Sequence, residues 1–461
     1  MLTEWDINSI FKPLMKKGAS FADLYAEDVE SKSIVLEDEK LEKVMGGHDR
    51  GIGLRAIKDL RSTYAYTNEC TERSVISLAQ EMAGVLDGRS GFSPKTWEFA
   101  MEPRRFPILK DPREVPVREE AALLHLANRA ARAIDRSVQQ VRVVYSSKVQ
   151  RVVSANTEGQ SSMEERVSSV FLVHVVARKD DTIQTGYEPL AEARGFEMLS
   201  EERVEEIASR AAKRAVDLLH AMPAPSGTMT VVLSSSAGGT MIHEAVGHGL
   251  EADLAQEGLS VYSGKIGHEV ASNMITIIDD ATIESRRGSF FFDDEGTPAQ
   301  RTVLVKDGIL KGYMYDRLAA MKDGVQSTGN GRRESYRYTP ITRMTNTFID
   351  AGDSDPDVIV RSVEKGLFVV KMGGGQVDTV NGNFVFEVSE GYLLDKGRVA
   401  DMVRGATLIG NGPKVMREID MVGTDLGFGI GTCGKDGQGV PVSDAQPTVR
   451  IPQIVVGGTE G

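Results

Sequence analysis

The chain holds 461 residues, 41% hydrophobic and 26% charged, and its 54 Lys and Arg against 67 Asp and Glu leave a net charge of −13 at pH 7. That length exceeds one core of ordinary size, so two or three domains are expected, and the acidic balance argues against nucleic acid as a partner. No apolar run approaches the roughly 20 residues that span a bilayer, and the opening MLTEWDINSIFKPLMKKG is too acidic and polar for a signal peptide, so a cytoplasmic protein with no membrane partner is expected.

Two joints punctuate the chain. EPRRFPILKDPREVPV (102–117) carries four prolines and MPAPSGT (222–228) two prolines and a glycine, and neither stretch can continue a helix or a central strand. They divide the chain into parts spanning 1–108, 115–222 and 228–461. In the first part ADLYAEDVES, KSIVLEDEKL, GIGLRAIKD and STYAYTN read as short strands, followed by a helix from TERSVISLAQEMAGVL. The second opens on a helix with an apolar stripe of Ala121, Leu124, Ala127, Ala131 and Ile134. It closes on another through Val204, Ile207, Ala211, Ala215 and Leu218. Between them QQVRVVYSS, QRVVSAN and RVSSVFLVHVVAR alternate as strands do, the last two joined at NTEGQ. The third part is glycine-rich, with strand-like runs such as TVLVKDGILKGYMY and NFVFEVSEGYLLDKGRV and hairpin turns at D-G and K-G. The class is therefore α+β: sheets with flanking helices first, then a mostly antiparallel β part, barrel-like or sandwich.

Where the third part begins, a strand GTMTVVLSSS leads through a Ser/Gly turn into TMIHEAVGHGLEAD. In the zinc pattern H-E-x-x-H the histidines lie four apart and share a helix face, with the Glu as general base. Here His243 and His248 are five apart, about 140° around a regular helix, and one metal cannot take both. A π-type turn closing i to i+5 stacks residues five apart, and Gly247 eases it. Only seven histidines occur in the chain, so two with an adjacent Glu244 in this arrangement favour a metal over ordinary helix-end histidines.

A catalytic zinc takes three protein ligands and leaves a position open. Asp253, His268 and Cys433 are candidates for the third. Cys433 is favoured: it lies in GTDLGFGIGTCGKDGQGVP, whose glycines let the backbone bend closely around a thiolate. Cys70, in NECTER, and His268 read as structural residues. The two cysteines are far apart and form no CxxC pair, which excludes a disulfide framework.

HEAVGHGLEAD, DDEGTP, RMTNT and GTCGKDGQGVP resemble the motifs of the TldD and PmbA (TldE) proteins, in order and nearly end to end. In that family the TldD type carries HExxxH and a late cysteine, and the PmbA type lacks them. The resemblance implies the catalytic TldD type: a zinc-dependent metallopeptidase with His243, His248 and Cys433 on the metal. It also implies pairing with a second copy or a TldE-type subunit around an internal cavity that admits short or unfolded polypeptide.

On that reading Glu244 takes the proton of the attacking water and passes it to the leaving amine, and the peptide adds as a strand along an exposed sheet edge. Arg332, Arg343 and Asn346, in GNGRRESYRYTPITRMTNT, are candidates to hold peptide carbonyls or a terminal carboxylate, with a solvated, ion-paired face as the equal alternative. Two rivals stand beside the metallopeptidase. One is a cysteine hydrolase with Cys433 as nucleophile; the other is a regulatory binder without catalysis, which would have no need of Glu244.

Overall fold

The computed structural model describes residues 2–103 and 106–458. A short amphipathic helix α1 (Ile7–Lys16) precedes a meander of β1 (Phe21–Glu37), β2 (Lys40–Lys58) and β3 (Arg61–Thr67), then helices α2 (Glu72–Gly84) and α3 (Val117–Arg132). Strands β4 (Val138–Asn156), β5 (Ser161–Lys179) and β6 (Thr182–Glu192) and helix α4 (Glu201–His220) follow. The six strands form one antiparallel sheet in the order β3-β2-β1-β4-β5-β6, which runs across the 102–117 joint.

The sequence reading breaks this sheet into shorter pieces than the structure holds. ADLYAEDVES and KSIVLE are one strand, as are QQVRVVYSS and QRVVSAN, because β1 and β4 are paired continuously and nothing within them demands a turn. The actual reversals, Asp38-Glu39 and Asp59-Leu60, put both residues at positive φ, a primed two-residue turn built without the usual glycine. Helices α1 and α2 bury Ile10, Phe11, Leu14, Val75 and Ala79 on one half of the sheet. Helices α3 and α4 bury Leu124, Ala127, Ala131, Val204, Ile207 and Ala211 on the other. Helix α1 was not expected, and Ile134 falls past the end of α3, 37% exposed, and so drops out of its stripe.

The C-terminal part closes a five-stranded barrel, running Lys365–Val377, Gly227–Leu233, Val449–Gly457, Thr407–Asn411, Asn383–Asp395 and back to the first. A second sheet orders Ile309–Leu310, Arg301–Lys306, Ile277–Asp280, Asn346–Ile349, Gln438–Gln446 and Gly427–Lys435, the last being its edge. Asp307-Gly308 and Lys396-Gly397 turn the expected hairpins.

The sheet face away from the helices docks on the C-terminal part through buried charges. Arg55 is fully buried, with Asp23 on its own sheet and Glu295 Oε1 at 2.6 Å across the junction. Beside it Arg166 meets Asp294 at 2.7 Å, and Arg333 donates to the Asp294 carbonyl at 2.8 Å. Asp294 and Glu295 of DDEGTP thus latch the two halves, while Asp293 accepts backbone N–H groups within the C-terminal part. Removing Arg55 strands two carboxylates without water, which costs about 3–5 kcal/mol. Arg55→Met is therefore expected to lower unfolding free energy by that amount in denaturant titration. A loss below about 1 kcal/mol would show that the latch does not hold the halves together.

Candidate metal centre

The barrel strand Gly227–Leu233 ends at a turn where Gly238 takes φ 72°, a left-handed conformation open to glycine at no cost. A single helical turn over Thr240–Ile242 then widens: the His248 N–H donates to the His243 carbonyl, i to i+5. The π turn expected from the histidine spacing is present. Met241, Ile242, Ala245, Val246 and Leu250 sink into the core with Leu233, Val369 and Phe386 of the barrel, so the widened turn is pinned by packing. A side chain at Gly247 would run into Met344 Sδ at 2.2 Å, which lets this turn press directly on the RMTNT segment.

The widening brings the two imidazoles to a ring separation of 5.1 Å, nearly perpendicular. Cys433 arrives from the edge strand Gly427–Lys435, with Sγ 3.2 Å from His243 Nε2 and 3.3 Å from His248 Nε2. Gly427 and Gly429 share the strand face of Cys433, and a Cβ at either would meet Ser235 O at 2.1 Å or Asp444 Oδ1 at 2.5 Å. Bare glycines let the strand lie flat on the turn before the helix, and that closeness places the thiol. The three ligand atoms lie within 4.8 Å of one another and all three residues are buried. Tetrahedral Zn–N and Zn–S bonds would set N and S about 3.6 Å apart. The donor set therefore fits a divalent metal, with soft sulfur and two imidazoles favouring zinc over magnesium or calcium.

The charges agree. Burial pushes the Cys433 thiol up, but hydrogen bonds and charge from the two imidazoles outweigh it and bring it down to about 5. Burial likewise opposes charge on Glu251, yet Lys435 and His248 hold it down to about 2. Glu251 Oε2 lies 3.0 Å from His248 Nδ1 and 3.1 Å from Lys435 Nζ. An ionised carboxylate only accepts, so Nδ1 carries the proton and Nε2 is left to bind metal. Glu244 is half-buried, and among the described residues its carboxylate has no hydrogen-bond or ion-pair partner.

Of the other candidates, Asp253 is 2.7 Å from Lys435 Nζ and outside the cluster, and His268 is exposed, its Nδ1 on the Ile266 carbonyl. Arg332, Arg343 and Asn346 are buried, with donors engaged inside the chain. Arg332 donates to the Met344 and Pro441 carbonyls at 2.6 and 2.7 Å. Arg343 donates to the carbonyls of Gln438 and Cys433. Asn346 spans Asp280, Ser289 and Gly288. In this conformation Arg332 and Arg343 brace the Cys433 hairpin, while Asn346 ties its strand to the 280–289 segment. Glu251 and Lys435 were missed; the available signal was a Glu three residues past His248 and a Lys two past Cys433.

Three family profiles match the chain: PmbA/TldA metallopeptidase domain 1 over 22–86, central domain over 110–219 and C-terminal domain over 226–458. The chain belongs to the PmbA/TldD metallopeptidase family. A Haemophilus influenzae protein named Metalloprotease TldD homolog is 39% identical over 98% of this chain and 95% of its own length. A Saccharolobus solfataricus protein named Zinc metalloprotease TldD homolog is 26% identical, with 96% and 97% covered. The fold is shared with the crystal structure of TldE from Thermococcus kodakarensis, at TM-score 0.76 and 18% identity over 98% of this chain and 100% of that one. Against this PmbA/TldD background, the Glu251 carboxylate is the group whose loss should be felt at the metal without touching a ligand. Glu251→Gln is expected to weaken zinc binding roughly 10- to 100-fold in chelator competition; unchanged affinity would leave Glu251 with no part in orienting His248.

Proposed function

We propose that the chain is a zinc-dependent metallopeptidase acting on short or unfolded polypeptide, with His243, His248 and Cys433 as metal ligands and Glu244 as general base. The observation that carries this is the convergence of three buried ligand atoms beside a carboxylate with no partner of its own among the described residues.

A divalent metal held there supplies the Lewis acidity that polarises a peptide carbonyl and eases deprotonation of the attacking water. The chain's residues do the rest. Glu244 precedes Ala245 on the widened turn, adjacent to a ligand and free of any structural bond, which is where a group must stand to take a proton from water and return it to the leaving amine. Glu251 fixes the tautomer of His248, and Lys435 keeps Glu251 ionised. Gly427–Lys435 is the edge of its sheet, with no strand beside it on one side among the described residues, so a peptide can add there as a further strand, main chain to main chain. We read Arg332 and Arg343 as holding that hairpin in place, with peptide contact through it, and Asn346 as fixing the 280–289 segment beside it.

Pairing with a second copy or a TldE-type subunit, enclosing the site in a cavity, follows from the family resemblance. The cysteine hydrolase is disfavoured by burial: Cys433 is 3% exposed with both imidazoles on its sulfur, whereas a nucleophile must face its substrate. A chelator separates the two, abolishing a metallopeptidase and sparing a thiol enzyme.

Replacing His243, His248 or Cys433 by Ala is expected to remove zinc by elemental analysis with the circular dichroism spectrum retained. Full zinc in Cys433→Ala would show the ligand set to be wrong. Glu244→Gln keeps shape but not basicity, so zinc content should stay while kcat on an unstructured peptide falls about 10²–10⁴-fold. Turnover at the parent rate would remove Glu244 from the chemistry.

A further inference from the structure

The edge strand carries a second chemical feature that catalysis does not use. Arg286 and Arg287 lie alongside it on a turn that follows the strand Ile277–Asp280. The Arg286 guanidinium carbon stands 3.8 Å from the centre of the Phe428 ring, and Arg287 Nη1 donates to the Gly431 carbonyl at 2.7 Å. Among the described residues neither guanidinium has a carboxylate within 4 Å, and Arg286 makes no side-chain hydrogen bond at all. Glu192, on the same side, is already held by Arg203 at 2.6 Å and Arg194 at 3.6 Å. Both groups are half-buried, and burial draws both below the usual guanidinium value. Each is a partly desolvated cation with no carboxylate at ion-pair distance among the described residues, Glu192 acting on Arg286 only from further off, and that is a costly arrangement in a chain with 13 more acids than bases.

The turn is also stiff. The Arg287 N–H donates to Ser443 Oγ at 3.1 Å and the Gly288 N–H to Asn346 Oδ1 at 3.0 Å, while a Cβ at Gly288 would lie 2.2 Å from the Thr345 carbonyl oxygen. The guanidinium groups are thus presented by a fixed backbone, and donors left over on each can grip a carboxylate in the paired geometry arginine favours. Gly431 is two residues from Cys433 and Phe428 five, about 7 and 17 Å along a strand.

We propose that Arg286 and Arg287 form a carboxylate-binding subsite that selects peptides with an acidic group two to five residues from the scissile bond. This rests on the peptidase reading and on the peptide adding along Gly427–Lys435. The carboxylate comes from a Glu or Asp side chain, or from the peptide's own C-terminus at that distance.

The test uses the zinc-loaded protein and a set of unstructured peptides with one Glu stepped through positions two to five on either side of the cleaved bond. Each is matched by a Gln version, all with amidated C-termini, and a third arm carries Gln throughout with a free C-terminus at those distances. At one position the Glu peptide, or the free acid, is expected to be preferred roughly ten- to a hundredfold in kcat/KM. The arm that shows it identifies the source. Arg286→Gln and Arg287→Gln should shrink that preference several-fold, mainly through KM, and Arg286→Lys should return part of it. Glu and Gln peptides cleaved within twofold of each other at every position, with no gain from a free C-terminus, overturn the subsite and leave the peptidase standing. Variants that slow both peptides of a pair equally also overturn it, since a purely structural role does that. If the parent cleaves none of the peptides, the peptidase reading falls and the subsite with it.

Discussion

Two imidazoles five residues apart must meet one buried sulfur, and the rest of the C-terminal part can be understood from that requirement. A regular helix cannot do it, and a turn closed i to i+5 leaves the backbone wider and less well packed. Such a turn survives only where surroundings hold it on every side. Here the barrel supplies apolar walls, and glycines supply the closest approaches: Gly247 against Met344 and Gly412 against the Ala245 carbonyl, where an added Cβ would come within 2.5 Å of the oxygen. Both contacts reach the widened segment, so two of the glycines of this part serve to bring other segments close to one helical turn.

The strand that delivers the sulfur also delivers its electrostatic complement. Side chains two apart on a strand point to the same face, so Lys435 follows Cys433 toward the helix. There it meets Glu251 at 3.1 Å and Asp253 at 2.7 Å. A fully buried Glu251 would otherwise be protonated and lose its hold on the His248 ring. Ligand, ring-orienting carboxylate and balancing cation therefore arrive on only two short segments, and their spacing within each fixes their spacing in the site. The N-terminal sheet contributes from further off, by latching the DDEGTP loop through Arg55 and Arg166.

What the sequence showed depends on whether a signal is local. The stripe of α4, the hairpin turn at Asn156–Ser161 and the D-G and K-G turns are written within a few residues, and the structure has them. The π turn was also local, forced by spacing alone. The lengths of β1 and β4 were not: the reversal after β1 uses Asp-Glu without a glycine, and what keeps both strands extended is their pairing with each other, over a hundred residues apart in the chain. Arg332, Arg343 and Asn346 show the same limit. Polar residues next to glycines read as exposed, but their partners are carbonyls about a hundred residues onward for the arginines and some sixty back for Asn346.

Partial charge compensation at the cluster gives a last reason why these residues suit a divalent ion. Burial opposes charge on His243 and His248, but the nearby thiolate, and Glu251 for His248, raise both above the ordinary imidazole value. The thiolate thus favours an extra proton on each ring. Ligands must shed such protons to bind metal, and every proton that leaves offsets part of the charge the ion brings. Lys435, Glu251 and Asp253, held together at 3.1 and 2.7 Å, are thereby spared part of the change in field that a divalent ion would otherwise impose on them.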